Sequence, residues 1–444
     1  MNYQNTQALG QFSSILQVLA MFLFFYNIPL QLFKIPFSSG KLITILALGY
    51  FTFIFLFRPI KNELVNKNYL FYISAVAVSF LIVFILIKIV YNTEDNYYLT
   101  TFLLYIVEYL LGAFFIIRIF KLYSLTKVLY SIIILSVLQA SIMFCSLFVE
   151  PLKSFVVAVM EANPDFALFS KADTIKDSFR GLSLASDRTL GMSIFFSISI
   201  MLIYLYILIS NERINNFKFV FFFVIIFCGG VLAARTFFIG LAIGFLFLVM
   251  LILKFSQLSN RLKYYFLRVF ITISVLIILT PVIISLYFSD VKEEIDLAFN
   301  WMFEVFINSD KEGFEKSESL YDLVYNNLTV LPDSWHTFLI GDSNRTFNNG
   351  IHYKGVDTDS GYLRMIFVYG MIGSMAVYIF WIVILKRTSS FYDKKEAVNL
   401  LMIFIGFLLF IAQIKYDVFP SSALNLKLIL VFFVLGIERK RQII

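Results

Sequence analysis

The stretch GGVLAARTFFIGLAIG, residues 229–244, places one arginine, Arg235, between two apolar runs. No loop-forming residues separate the two runs, so Arg235 has to lie at a tight junction between two helices. Of all 444 residues, 60% are hydrophobic and only 15% are charged, whereas about a quarter of a soluble domain is charged. The sequence therefore predicts an integral membrane protein of the all-α class.

Apolar runs long enough to cross a bilayer recur along the whole chain. A spanning helix needs about 20 mostly apolar residues. By this criterion we predict twelve transmembrane helices, at residues 12–33, 42–58, 69–91, 97–117, 127–148, 190–210, 218–234, 236–253, 269–288, 361–385, 398–414 and 423–437. Residues 1–444 then form a single integral membrane domain. The N-terminal sequence lacks the pattern of a cleaved signal peptide, so we expect the first run to be retained as a helix.

Basic residues fall on every second connection between these runs. RPIKNELVNKN follows the second run, NERINNFK follows the sixth, and ERKRQ lies near the end of the chain. Because cytoplasmic loops carry an excess of Lys and Arg, both termini are predicted to face the cytoplasm. The net charge of +7 then reflects membrane orientation, and no nucleic-acid partner is expected. Only KIPFSSGK departs from the pattern, with two lysines on the outer side.

This orientation places three features on the outer side of the membrane. They are a sizeable loop at 149–189, the Arg235 junction, and a long polar segment at 289–360. In the long segment, two series of apolar residues recur at helical spacing, and they predict two short amphipathic helices on the membrane surface: Ile295, Phe299, Met302 and Phe306, then Leu320, Val324 and Leu328. Cys145 and Cys228 lie inside apolar runs, so neither a disulfide nor a metal pair is expected.

Arg235 allows two interpretations. An arginine near a helix end can extend to the lipid headgroups, with no further role. Its guanidinium can instead bind phosphate oxygens through two parallel hydrogen bonds, and it stays charged in a partly dry pocket. SFRGLSLASDRTLG, residues 178–191, adds Arg180 and Arg188 on the same predicted side, and each alone is compatible with an ordinary polar loop. Together the three arginines favour an anion site.

A third stretch, LIGDSNRTFNNGIHYKGVDTDSGYLRMIFVYGMIG at 339–373, is dense in polar and turn-forming residues. Asp359 precedes a predicted helix, where capping accounts for a carboxylate without any function. The alternative is a general base, and His336 and His352 are candidates for the same role. Arg364 follows in the first turn of the helix. The sequence contains no convincing metal-ligand spacing, no P-loop and no dinucleotide-binding motif.

The order of these motifs resembles the superfamily of O-antigen polymerases (Wzy) and O-antigen ligases. The likeness rests on an outer loop ending in R-G-L, an A-R-T junction between two spans, L-I-G-D in a large outer loop, and a helix that opens D-S-G-Y-L-R and continues Y-G-M-I-G. It covers about residues 170–375, whereas the earlier spans match only as generic membrane helices. The intervals from Arg180 to Gly191 and from Arg345 to Gly361 also echo the Arg-to-Gly spacings of polymerase loops.

The resemblance implies a metal-independent glycosyltransferase in the bacterial inner membrane, with its site facing the periplasm and no cofactor. It would move a growing glycan from undecaprenyl pyrophosphate onto a new lipid-linked repeat unit. Arg180 and Arg235 would hold the pyrophosphate and stabilise the charge that develops as it leaves. Asp359 would be the catalytic base, with His352 as the second choice. Substrate contacts are expected from other polar residues of the outer side: Arg188, Arg345, His352, Tyr362 and Arg364.

Other members of the superfamily and other classes of protein remain open at this stage. The ligase branch usually opens the helix after the large loop with a His-Asn pair, and Asp359-Ser360 stands there instead, which favours a polymerase. A flippase for lipid-linked oligosaccharides is the first rival of another class. The second is a transferase using a lipid-monophosphate sugar, with a metal or base at DTD or at Glu94-Asp95. The expected partners of a polymerase are the two lipid-linked glycans, membrane lipids and a chain-length regulator protein.

Overall fold

The protein is helical throughout the part of the chain that its computed structural model describes. That part comprises residues 3–57, 104–161, 183–210, 215–271, 331–341 and 360–443, with short gaps inside these ranges, and Tyr325. Within it there is no strand, only one isolated β-bridge between Pro29 and Ser38. The all-α class predicted from the apolar runs is therefore confirmed.

The helices are numbered in chain order within these ranges. They are α1 (Tyr3–Tyr26), α2 (Ser39–Phe57), α3 (a π-helical stretch Leu104–Leu110 followed by the α-helix Leu111–Ile119), α4 (Leu125–Phe148), α5 (Glu150–Glu161), α6 (Thr189–Ile209), α7 (Asn216–Ala233), α8 (Thr236–Lys254), α9 (Trp335–Ile340), α10 (Gly361–Ser389), α11 (Lys395–Ala412), α12 (Val418–Ser421) and α13 (Ala423–Ile443).

Five of these helices are long and apolar enough to cross a membrane, namely α4, α6 from Leu190, α8, α10 and α11. Shorter apolar helical segments lie in α1, α2 and α7. Their length and composition support a membrane protein. Two further predicted spans, 69–91 and 269–288, lie outside the described residues apart from Ile271. The total of twelve spans therefore stays a prediction.

The other helices pack around α6, whose apolar span is entirely buried inside the bundle. Small polar residues allow close contacts there, as between the hydroxyls of Ser136 in α4 and Ser199 in α6, which lie 2.7 Å apart. Neighbouring helices mostly run in opposite directions, so the connections between them lie at one or the other of the two ends of the bundle. We name each end by an arginine that it contains.

The Arg235 end contains the α1–α2 turn, the starts of α6, α10 and α13, and the α7–α8 junction. The Arg118 end contains the end of α3, the α6–α7 and α10–α11 connections, and the C-terminus of α13. Many of the basic residues behind the predicted orientation gather at the Arg118 end: Arg118, Lys121, Lys127, Lys218, Lys254, Lys386, Arg387, Lys394, Lys395, Arg439 and Lys440. Which membrane face this end occupies stays a prediction.

The predicted outer loop at 149–189 begins with a helix that the sequence analysis did not foresee. This helix, α5, is amphipathic and buries Val156 and Val159 against the end of α4. It has only 12 residues, begins and ends with a glutamate, and is apolar on one face alone. Its sequence therefore does not stand out beside the long apolar runs. The two amphipathic helices predicted within 289–360 lie outside the described residues, and α9 is the helix described in that segment.

Candidate functional site

Arg235 lies in the turn that joins α7 to α8. Ala234 is extended, with φ −167° and ψ 156°, and α8 begins at Thr236, so two residues make the connection. The amide of Phe237 donates to the carbonyl of Ala234 at 3.0 Å and closes the turn. The Arg235 side chain is half-buried. In so short a turn, the backbone fixes where the guanidinium can reach.

Two polar contacts connect this junction with the starts of α6 and α13. The hydroxyls of Ser193 and Thr236 lie 2.7 Å apart, which joins α6 to the first residue of α8. The Nδ2 of Asn425 donates to the carbonyl of Gly191 at 3.0 Å and to Ser422 Oγ at 2.7 Å. The first turns of α6, α8 and α13 are therefore held together at the Arg235 end.

Helix α10 is broken within its apolar length. Gly370 has φ 63° and ψ 176°, so α10 consists of two half-helices. The C-terminal end of α9 fills the break, because a Cβ on Gly370 would overlap the backbone of Leu339 and Ile340. In the same way, a Cβ on Gly341, which has φ 78°, would lie 2.5 Å from the carbonyl oxygen of Val368. Both positions require glycine, for backbone conformation and for space.

This contact brings together two motifs that are separated in the sequence. Gly341 belongs to L-I-G-D and Gly370 belongs to Y-G-M-I-G, while residues 342–359 between them lie outside the described ranges. A break in a membrane helix is tolerated where protein covers it or where it lines a cavity. Here α9 covers the break, and Ser374 Oγ donates to the carbonyl of Gly370 at 2.6 Å. Broken helices also form the substrate sites of many transporters.

The first turn of α10 carries two of the predicted substrate contacts, Tyr362 and Arg364. The Tyr362 hydroxyl donates to the carbonyl of Phe410 at 2.8 Å, so it ties α10 to the end of α11. Both Tyr362 and Arg364 are half-buried. Ser360 is the N-cap residue of α10 and is buried, yet its hydroxyl makes no capping bond to the helix.

A buried ion pair lies next to these helix starts. Lys427 Nζ is 2.9 Å from Glu108 Oε1, and the two side chains are 0% and 6% exposed. The same Nζ donates to the carbonyl of Phe24 at 2.9 Å and lies about 5 Å from the ring centres of Phe24 and Tyr109. The pair therefore joins α1, α3 and α13. Ionisable residues inside a membrane bundle are costly, and they are a default indication of a functional site.

Backbone irregularities surround this pair. Glu108 lies in the π-helical stretch of α3, and π-helical turns are rare and frequent at functional sites. Asn27 has φ 47°, and its Oδ1 accepts a hydrogen bond from the amide of Gly40 at 3.0 Å. A Cβ on Gly40 would lie 2.7 Å from Glu108 Oε1 and 3.0 Å from Lys427 Nζ. Glycine at this position lets the α1–α2 turn pack directly against the pair.

Sequence reasoning did not single out Lys427 or Glu108. Each is a charge within an apolar run, at 423–437 and 97–117, which is the same signal that drew attention to Arg235. Their pairing is not readable from the sequence, because 319 residues separate them. The sequence therefore marks each residue as an unusual charge in an apolar run, but it does not show that the two residues contact each other.

Most of the predicted site residues lie outside the described part of the chain. They are Arg180, Arg188, Arg345, His352 and Asp359, and their roles stay predictions. His336 is described, and it is exposed on α9. The structure places Arg235, Tyr362 and Arg364 at the same end of the bundle. This follows because α11 runs antiparallel to α8, with Lys254 paired to Glu396 at the other end, and Tyr362 reaches the end of α11.

The described side chains at this end offer cations and hydrogen-bond donors for an anionic group. Within the described ranges, no three His, Cys, Asp or Glu side chains are grouped as a metal site would require. Comparison with known proteins found no matching family model, no similar curated protein and no similar solved structure. The function is therefore argued from the residues of this chain.

Proposed function

We propose that this chain is an O-antigen polymerase of the Wzy type. Such a protein is a glycosyltransferase that joins undecaprenyl-pyrophosphate-linked repeat units at the periplasmic face of the bacterial inner membrane. The observation that carries the proposal is the backbone contact between Gly341 and Gly370. It packs Leu339, Ile340 and Gly341 of the L-I-G-D motif against the Y-G-M-I-G motif, toward the end of the bundle that also holds the A-R-T junction of Arg235. Three of the motifs behind the resemblance thus lie toward the same end of the bundle.

The orientation in this proposal follows from charge. Basic residues gather at the Arg118 end, and cytoplasmic loops are the ones rich in Lys and Arg. The Arg118 end then faces the cytoplasm, with both termini, and the Arg235 end faces the periplasm. Twelve spans, with the predicted runs outside the described residues included, satisfy this arrangement. A lipid-linked pyrophosphate lies at headgroup depth, which is the depth of the helix ends around Arg235.

The proposed reaction needs positive charge and one base. The acceptor hydroxyl attacks the anomeric carbon of the donor glycan, the bond from that carbon to the pyrophosphate oxygen breaks, and the base takes the hydroxyl proton. Arg235 and Arg180 stabilise the negative charge on the leaving pyrophosphate, which is the role that a metal ion plays elsewhere. Asp359, one residue before the N-cap of α10, is the proposed base. Arg188, Arg345, His352 and Arg364 are the proposed further substrate contacts.

The experiment compares surface-glycan ladders in a strain deleted for this gene. Complementation with the wild-type chain is expected to restore long glycans. Arg235→Ala is expected to lower polymer formation about 100-fold or more, because one charge-stabilising donor contributes roughly that factor to a transferase rate. Arg387→Ala, an exposed arginine at the Arg118 end, is the matched control and is expected to restore full ladders. Normal polymer from Arg235→Ala at equal protein levels would refute the assignment.

The broken helix and the buried ion pair also favour a second candidate, an exporter of lipid-linked oligosaccharides. Transporters use discontinuous helices and buried charges near their substrate paths. The deletion strain separates the two functions. A polymerase defect leaves single repeat units attached to their acceptor, whereas an export defect leaves no unit on the acceptor. A ligase defect would leave long polymer on the lipid carrier.

A further inference from the structure

We propose that Asn425 and Lys427 are positioning residues for the site at the Arg235 end. Anchored by Glu108, they hold the start of α6 in place and, through it, the junction that presents Arg235. The activity part of this inference rests on the proposed polymerase function. The geometric part does not, and it can be tested separately.

The anchor is the Lys427 ammonium. It contacts Glu108 in α3 and the Phe24 carbonyl at the end of α1, both at 2.9 Å. These contacts fix the second turn of α13 against α1 and α3. Because the side chain is fully buried, solvent does not compete for these bonds.

Asn425 carries the connection from this anchor to α6. Its side chain is fully buried, and Nδ2 donates to the Gly191 carbonyl. Oδ1 has no hydrogen-bond partner in the described part of the chain. A buried acceptor without a partner lowers stability, so a leucine would suit this position better if stability alone mattered. The asparagine adds two bonds from Nδ2, one to Ser422 Oγ just before α13 and one to the Gly191 carbonyl, and it is the second that reaches α6.

From Gly191 the connection reaches Arg235 within one turn of α6. Ser193 lies two residues after Gly191, and its hydroxyl is 2.7 Å from that of Thr236, the residue after Arg235. Each step is therefore a hydrogen bond or a short interval on a rigid helix. The contacts form a contiguous network from Glu108 to Arg235, and chains of hydrogen bonds and rigid helix of this kind can carry energetic coupling between sites.

A purely stabilising role makes a different prediction for the same residues. Buried ion pairs are weak contributors to stability, and apolar pairs of similar volume often replace them without loss. If Lys427 and Glu108 only fill space, the double variant Lys427→Met with Glu108→Leu behaves as the wild type in every assay. If they position α6, this variant folds while the Arg235 junction loses its fixed geometry.

The test measures that geometry by disulfide formation between Ser193→Cys and Thr236→Cys. These changes replace the hydroxyl contact in every variant alike, so differences in rate report how firmly α13 holds the start of α6. The two free native cysteines, Cys145 and Cys228, are first replaced by alanine in the full-length chain. Oxidation is started with copper phenanthroline, and the remaining thiols are counted after denaturation by the gel shift of a polyethylene-glycol maleimide. The adjacent hydroxyls of the native residues place the two sulfurs within bridging reach.

Disulfide formation is expected to be at least about threefold slower with Lys427→Met and Glu108→Leu, a coupling usual for residues of one network. Asn425→Leu, which keeps both charges, is expected to slow it similarly and serves as the second variant if the first does not fold. Lys254→Met with Glu396→Leu, an exposed pair at the Arg118 end, is the control and is expected to change nothing. Unchanged rates in both test variants would overturn the inference.

The surface-glycan ladder supplies the activity readout. Asn425→Leu is expected to shorten or deplete the polymer at normal protein levels and at an unfolding temperature no lower than that of the wild type. A full ladder from this variant, despite slower disulfide formation, would overturn its role in the reaction. If the wild-type chain itself makes no polymer, the proposed function fails, and the disulfide rates still decide whether Asn425 and Lys427 position the junction.

Discussion

Among the described residues, the ion pairs at the Arg118 end are mostly exposed, whereas the pair at the Arg235 end is buried; the Arg118–Glu438 pair, with side chains 12% and 5% exposed, is the exception at the Arg118 end. At the Arg118 end, ion pairs lie near the helix ends, as between Arg439 and Asp393, whose side chains are 23% and 73% exposed. At the Arg235 end, Lys427 and Glu108 are buried within the bundle, at 0% and 6% exposure. The broken helix and the π-helical stretch also lie on this side. A membrane protein could fold with the first kind of pair alone.

This difference indicates where function has shaped the sequence. A buried pair pays desolvation for two charges and gives little stability in return, and irregular backbone in a membrane helix is likewise unfavourable. Costly features persist where something other than stability requires them. Their convergence at one end, beside the Arg235 junction, supports a site there and an ordinary surface at the other end.

The largest expected effect comes from filling the break in α10. Gly370→Val places a branched side chain at φ 63°, where its Cβ overlaps the backbone of α9. We expect a loss of at least about 3 kcal/mol in the free energy of unfolding, or failure to fold, from strain and overpacking together. Thermal unfolding of the detergent-solubilised chain measures it.

Gly49→Ala is the matched control, because a Cβ at Gly49 in α2 meets nothing within 4 Å. It is expected to leave stability unchanged or to raise it by up to about 1 kcal/mol, as alanine favours a helix over glycine. If both glycine variants unfolded at the wild-type temperature, the result would contradict the close packing of α9 against Gly370 of α10.

The next largest effect compares one lysine at each end. Lys427→Ala leaves Glu108 buried without its partner, so we expect a loss of about 3–5 kcal/mol. Lys254→Ala removes an exposed partner of Glu396, and we expect a loss of about 1 kcal/mol or less. Denaturant titrations of the two variants measure the contrast. Equal losses would show that the buried pair at the Arg235 end is no more important for stability than the exposed pair at the Arg118 end.

A smaller loss of stability is expected from Arg118→Ala. Arg118 and Glu438 form the pair at the Arg118 end that is most like the buried pair at the other end. Both Nε and Nη2 of Arg118 donate to Glu438 Oε1, at 3.0 and 2.7 Å, and the guanidinium lies 5.6 Å from the ring centres of Phe51 and Phe114. Arg118→Ala is expected to cost about 2–3 kcal/mol, because the Arg118 side chain is 12% exposed and keeps some contact with solvent, whereas Lys427 is fully buried. The glycan ladder is expected to stay normal, and a lost ladder at normal protein levels would place function at both ends.

The parts of this structure that the sequence predicted are those with a local signal. Apolar length predicted the long helices, and an arginine between two apolar runs predicted the tight α7–α8 turn. The break at Gly370 left no such signal, because glycine is common in membrane helices and the surrounding run stays apolar. The positive φ of Gly370 and its contact with Gly341 depend on tertiary packing, which the sequence around this glycine does not reveal.

The candidate site divides in the same manner. Arg235, Tyr362 and Arg364 were found from their place beside helix ends and motifs. The Lys427–Glu108 pair and the Asn425–Gly191 bond join residues 319 and 234 positions apart, so no window of sequence contains either contact. Arg180, Arg188, Arg345, His352 and Asp359 stay predictions from the sequence and from the resemblance.

The most direct test of the polymerase account is a reconstitution. The purified full-length chain is placed in vesicles with lipid-linked repeat units extracted from the deletion strain, and product length is followed on a gel. The account predicts glycans of several repeat units from the wild-type chain, and single units with Arg235→Ala. Single units throughout, with the wild-type chain folded and inserted, would contradict it.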